Sequence, residues 1–182
     1  MILSPVNVIG DVTHTLESLL DDLTPSLGSP AELKLGENES GSINIYLYQV
    51  LESALARSCT RHTRPNGDRE YPPLALKLYY LLTPYAPNLL TEHHILGDAM
   101  RTLYEHTVIR ESELPESLRL VTDQVAIVLM PLQLEDLTRI WSAMQSAYRL
   151  SVAYEVRVVP IHSDIVSVPS RVVTKVDLYA QT

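Results

Sequence analysis

The stretch PPLALKLYYLLTPYA, residues 72–86, decides how the rest of the chain is read. Its alternate positions Leu74, Leu76, Leu78, Tyr80 and Leu82 form one apolar set. The interleaved set is Ala75, Lys77, Tyr79, Leu81, Thr83 and Tyr85, half polar and bearing two tyrosines. A period of two argues a strand with one face in a core. The run is too short and too broken by proline to cross a bilayer. Its second face is neither core nor plainly solvent, and what lies against that face is the question the sequence raises.

Upstream, SINIYLYQVLE (residues 42–52) alternates in the same way. Ile43, Ile45 and Leu47 face one side, and Asn44, Tyr46 and Tyr48 the other. Pro65-Asn66-Gly67-Asp68 is a turn signal inside the basic loop between the two runs, so they read as an antiparallel hairpin. Farther upstream lies a helix. Ser4 is its expected N-cap, Pro5 its first position, and Val6, Ile9, Val12, Leu16, Leu19 or Leu20, and Leu23 its buried stripe. Residues 24–42 read as a loop with a short strand at Glu32–Leu35.

Downstream, Thr91 is the expected N-cap of a helix to about Thr107, with Leu96, Ala99, Met100, Leu103 and Thr107 inward and Glu92, Asp98, Arg101 and Glu105 outward. A polar break covers Arg110–Ser117. Gln124–Met130 reads as a strand, and LQLEDLTRIWSAM as a short helix with Leu134, Leu137, Trp141 and Met144 on one face. RLSVAYEVRVVP is the clearest strand, with Leu150, Val152, Tyr154, Val156 and Val158 inward and Arg149, Ser151, Ala153, Glu155 and Arg157 outward. The interleaved order predicts an α+β fold: one domain over residues 1–162, a mainly antiparallel sheet with helices on one face, and a strand-like C-terminal arm over 163–182.

At 182 residues the chain is long enough to bury a core without disulfides or metal. Phe is absent, and ten tyrosines with Trp141 supply the aromatic surface, a composition compatible with contact faces. A net charge of −8 argues against nucleic acid as a partner. The one basic patch, ARSCTRHTRPNGDRE (residues 56–70), reads as a solvated loop that suits an acidic partner, a second acidic copy included. Cys59 is the sole cysteine, which suits a reducing compartment. The acidic N-terminus does not read as a secretory signal, and no apolar run reaches the ~18 residues of a membrane span, so no direct membrane insertion is expected.

Little in the chain points to chemistry. His94 and Asp98 stand four apart on a helix, but a metal needs at least a third ligand, so no metal or other cofactor is expected. There is no Gly-rich phosphate loop, no GxSxG and no CxxC. A protein whose surfaces are its function is the stronger reading, and an enzyme is not expected.

Four stretches carry a family resemblance: INIYLYQVLESALAR (43–57), PPLALKLYYLLTPYA (72–86), EHHILGDAMRTLYEHTVI (92–109) and LTRIWSAMQSAYRLSVAYEVRVVPI (137–161). In this order they resemble the cap, or tail-terminator, proteins of phage-tail-like contractile injection systems, such as those of the Photorhabdus virulence cassette and the antifeeding prophage. The resemblance implies a small α+β terminator forming a homohexameric ring on the distal end of inner tube and sheath and stopping their polymerisation. It also implies assembly in the bacterial cytoplasm, and then residence in a particle that can be released. A half-polar, Tyr-bearing sheet face is what a subunit contact looks like. Tyr46, Tyr48, Tyr79, Tyr85, Arg149 and Arg157 are therefore expected to share a face toward a neighbouring subunit or the tube. The alternating arm, about Ile165 to Tyr179 and including Val172, Val173, Thr174, Lys175 and Val176, is expected to pair its backbone with an adjacent chain. The alternatives are another ring-forming adaptor, at the baseplate or head end of a tail, and a ligand-binding α+β domain.

Overall fold

The computed structural model describes residues 7–30, 41–53, 69–70, 74–120, 122–161 and 166–167. Helix α1 is Val8–Leu19, and the side chain of Asn7 caps it by accepting from the Gly10 amide at 3.2 Å. The expected cap at Ser4, with Pro5 and Val6, lies outside the described residues. Val8, Val12, Leu16 and Leu20 recur every fourth position and are buried, while Ile9, Leu19 and Leu23 pack beside them. Strand β1, Pro25–Leu27, replaces part of the expected loop. The predicted strand at Glu32–Leu35 lies outside the described residues.

The two runs read first are strands β2, Ser42–Glu52, and β4, Leu74–Tyr85. They pair antiparallel as predicted, with a bulge between Leu47 and Gln49. Between them β3 is Arg69–Glu70. Helix α2, Leu89–Glu105, begins earlier than expected. Asn88 caps it by accepting from the Thr91 amide at 2.9 Å and from the Thr91 hydroxyl at 3.0 Å. Thr91 is thus a donor to the cap within the first turn. Ile95 joins Leu96, Ala99 and Leu103 inside, Met100 is half-buried, and Thr107 is exposed because the helix has ended before it.

The polar break turns out to be structured. Strand β5 is Val108–Arg110, a 3₁₀ turn covers Glu111–Glu113, and α3 is Glu116–Arg119. Leu114 and Leu118 anchor this segment in the core. Strand β6, Gln124–Met130, has the predicted bounds. Helix α4 is Leu134–Ala143, and β7 is Val152–Ile161. Leu150 precedes β7 and is exposed, against expectation. β8, Val166–Ser167, pairs antiparallel with β3, so this start of the arm, expected to pair with an adjacent chain, pairs within its own chain.

One sheet has the order β1-β2-β4-β7-β6-β5. Only β1 and β2 are parallel, so the mainly antiparallel α+β reading holds. Its first face carries the main core. Leu76, Leu78, Tyr80 and Leu82 of β4 meet Tyr154 and Val156 of β7 under the apolar stripes of α1 and α2. The expectation that all helices lie on this face is corrected by α4, which covers the other. There Trp141 packs with Leu81 and Ala153, and Leu137, Ile140 and Met144 surround them. Leu134, expected inside, is exposed because it stands at the helix start, off that seam.

One buried pair on the first face predicts an asymmetry. Thr13 donates its hydroxyl hydrogen to the Ile9 carbonyl at 3.0 Å, so the Tyr80 hydroxyl, 2.8 Å away, donates to Thr13. Burial pushes the Tyr80 hydroxyl up to about 12, and the Thr13 bond opposes this only in part. Tyr80→Phe leaves the Thr13 donor satisfied and should cost about 1 kcal/mol. Thr13→Val strands a buried phenol and should cost more, about 1–3 kcal/mol. Urea denaturation of the two variants checks the order; the reverse ranking would refute the assignment of donor and acceptor.

Candidate functional site

The register puts the predicted contact residues of the three central strands on one face. Tyr46 of β2 stands opposite Leu81 and Gln49 opposite Tyr79; across β4, Leu81 faces Ala153, Tyr79 faces Glu155 and Lys77 faces Arg157. The rings of Tyr48 and Tyr79 lie 6.2 Å apart at 52°. Helix α4 roofs the middle of this face. At its side a groove of about 470 Å³ opens, lined by Tyr48, Tyr79, Met130, Leu132 and Arg139 among others.

The six residues divide by exposure. Tyr79 and Tyr85 are buried within the chain itself. The Tyr85 hydroxyl donates to the Pro30 carbonyl at 2.6 Å, and the Arg149 guanidinium sits 4.5 Å from its ring centroid. Arg149 also pairs with Glu92, which was expected to face solvent but is half-buried by this contact. Tyr46, Tyr48 and Arg149 are half-buried and Arg157 is exposed; Arg149 is engaged by Tyr85 and Glu92, so Tyr46, Tyr48 and Arg157 keep surface to offer. Val172, Val173, Thr174, Lys175 and Val176 lie outside the described residues.

Glu155 is the electrostatic centre of the face. It was expected to point to solvent, yet it is 3 % exposed, because Lys77, Arg157 and Tyr79 close around its carboxylate. Lys77 reaches it at 3.2 Å and Arg157 at 2.5 Å. Burial by itself raises its carboxyl. The hydrogen bonds and charges of Arg157 and Lys77 together outweigh that and hold it below the ordinary 4.5. Burial, and then the nearby Glu155 charge, push the Tyr79 hydroxyl up. A carboxylate with a lowered folded pKa contributes stability that is present above its unfolded pKa and lost as pH falls through the folded one. The unfolding free energy should therefore decline on acidification below about pH 4.5, and Glu155→Gln should flatten that slope. Denaturant titrations from pH 6 to pH 3 measure it; equal slopes in both proteins would contradict the ion-pair account.

The other face holds a feature that the sequence did not announce. A groove of about 560 Å³ lies between the C-terminal half of α2 and β6, lined by Met100, Leu103, Tyr104, Ile127, Leu129 and Tyr154. Tyr104 is 82 % exposed and Leu129 47 %. Their only sequence signal is an apolar residue at a position where the helical or strand pattern asks for a polar or covered one. Elsewhere, Asp98 pairs with Arg101 at 3.0 Å, and among the described residues no group of three His, Cys, Asp or Glu is placed to hold a metal. No helix of the described residues is long and apolar enough to cross a membrane.

Fold and site together define a small α+β domain that displays aromatic, aliphatic and ion-paired groups suited to packing. The chain belongs to the family described as the Pvc16 N-terminal domain, which it matches over residues 11–175. Two solved structures are similar. One is the sheath/tube terminator of PVC, an extracellular contractile injection system, in the extended state: 18% identity, TM-score 0.66, covering 96% of this chain and 63% of that one. Another is the tube terminating cap of the anti-feeding prophage: 18% identity, TM-score 0.58, covering 98% and 62%. The chain thus spans less than two thirds of either structure's length. No curated protein matches the chain.

Proposed function

We propose that this chain is a structural cap, a tail terminator that forms a homohexameric ring on the end of the inner tube and sheath of a contractile injection system and stops their growth. The observation that carries it is the family membership, joined to a fold shared along nearly the whole chain with two proteins described as tube terminators. The surface supports the same reading, because Tyr46, Tyr48 and Arg157 present the aromatic and Arg groups that subunit contacts favour. The partners are other copies of the chain and the tube and sheath proteins. Assembly takes place in the bacterial cytoplasm, and the protein then stays with the particle.

The C-terminal arm belongs to this reading. Val172 to Val176 alternate as an added strand does, and they bind by pairing their backbone with an adjacent chain. Deleting residues 164–182 should weaken capping and give tails of longer, scattered length. Deleting the whole protein should give the same defect in full. Electron microscopy of the particles measures both. Labelled protein found away from the tail end, or uniform tails without it, would reject the assignment.

A further inference from the structure

The register defines levels across the sheet. Met130, Ala153, Leu81 and Tyr46 share one; Leu129, Tyr154, Tyr80 and Leu47 the next; Ile127, Val156, Leu78 and Val50 another. β1 pairs with β2 only at Ile43–Ile45, and β5 with β6 only at Gln124–Ala126. The Ile127 amide donates to the Thr107 carbonyl at 2.8 Å, so that edge is closed as far as Ile127. Alternation turns the Leu129 amide and carbonyl the same way, toward the outer side. Among the described residues no strand pairs there, nor along β2 from Tyr46 to Leu51.

The two open lengths therefore lie at the same height on opposite sides of the sheet. Between them adjacent strands alternate in direction through β2, β4, β7 and β6, so β2 and β6 run oppositely. Rotating a second copy about an axis along the strands brings its β2 beside β6 of the first, antiparallel and level. A head-to-tail contact needs two different surfaces that fit each other, and it closes into a ring when it carries no rise. The side chains also agree. Leu129 is 47 % exposed at one edge and Val50 39 % at the other, and both belong to the first face. The groove beneath Tyr104 adjoins Leu129.

We infer that copies of this chain join edge to edge: β2 of one adds to β6 of the next, its Leu47 and Val50 entering the groove beside Leu129 and Tyr104, its Tyr46 and Tyr48 meeting Val128 and Met130. The inference rests on the ring reading above. Ring closure removes both exposed edges, which would otherwise invite open-ended association.

The test uses the full chain with Cys59→Ser. Directly opposite residues in an antiparallel pair have Cα atoms about 4.5–5.5 Å apart, within disulfide reach. Mixed Leu129→Cys and Leu47→Cys chains should give a covalent dimer on mild oxidation, whereas neither alone should. Leu129→Lys should keep the parent's folded secondary structure by circular dichroism, because the side chain is exposed within the single chain, and raise the midpoint of ring dissociation at least about tenfold by native mass spectrometry and sizing. If Leu129→Lys fails to fold, the cross-link decides. A ring that survives Leu129→Lys and yields no mixed dimer overturns the edge contact and leaves the ring. A dimer from Leu129→Cys alone signals two-fold pairing and also overturns it. A parent chain that stays monomeric at every concentration rejects the ring itself.

Discussion

Trp141→Ala is expected to destabilise the protein by about 3–5 kcal/mol. The indole is 1 % exposed and fills the seam between α4 and the second sheet face, against Leu81 and Ala153. Its Nε1 donates to the Ser151 hydroxyl at 3.1 Å, which in turn donates to the Arg149 carbonyl at 3.1 Å. Helix α4 has ten residues and no side-chain N-cap bond, too little to hold it by itself. Truncation would thus leave a cavity and loosen the roof over Tyr46 and Tyr48. Trp141→Phe keeps most of the packing and loses one hydrogen bond, so a smaller loss of about 1–2 kcal/mol is expected. Guanidinium unfolding gives both values, and hydrogen exchange in α4 should rise in the alanine variant first. A loss under about 1 kcal/mol for Trp141→Ala would show that α4 is held by something else.

Gly41→Ala should be nearly as damaging, for a different reason. Gly41 has φ of 87°, in the left-handed region. A Cβ there would stand 2.5 Å from the Ile95 Cδ1, 2.9 Å from the Tyr85 carbonyl oxygen and 3.1 Å from the Ala86 Cβ. The isoleucine can turn; the backbone carbonyl cannot. The backbone conformation costs about 1–2 kcal/mol and the overlap a further 1–3 kcal/mol. The Gly41 carbonyl also accepts from the Thr24 hydroxyl at 2.7 Å, so a shift here reaches the residue before β1. Gly97 gives the opposite sign. It is exposed inside α2, an added methyl would meet nothing within 4 Å, and Gly97→Ala should stabilise by about 0.5–1 kcal/mol. Thermal melts of both variants test the pair. Equal effects would mean that local space does not govern either.

Much of the frame was legible because long elements carry their own periodicity. β2 and β6 match the predicted ends, and the alternation of β4 separated its two faces correctly. β1 and β5 escaped notice because three residues carry no period; they are strands only by virtue of the neighbours they pair with. α3 escaped for the same reason, its single turn being fixed by Leu118 in the core. The cap of α2 was misplaced by three residues because Asn88 and Thr91 are both good capping types, and only the backbone geometry tells which one accepts.

The contact face was read only in part. The sequence put Tyr46, Tyr48, Tyr79, Tyr85, Arg149 and Arg157 together as the residues left over from the core set. It had no means to tell that Tyr79 and Tyr85 are used up within the chain while Tyr46, Tyr48 and Arg157 keep exposed surface.

The sequence by itself determined the α+β class, the hairpin of β2 and β4, and the resemblance that the family match supports, since each depends on the order of residues along the chain. Tertiary structure alone decided that α4 covers the second face, that Glu155 is buried between two cations, and that open lengths of β2 and β6 stand level on opposite sides. Periodicity records which way a side chain points. What it meets depends on pairings between residues distant in sequence, and these are fixed only when the sheet closes on its helices.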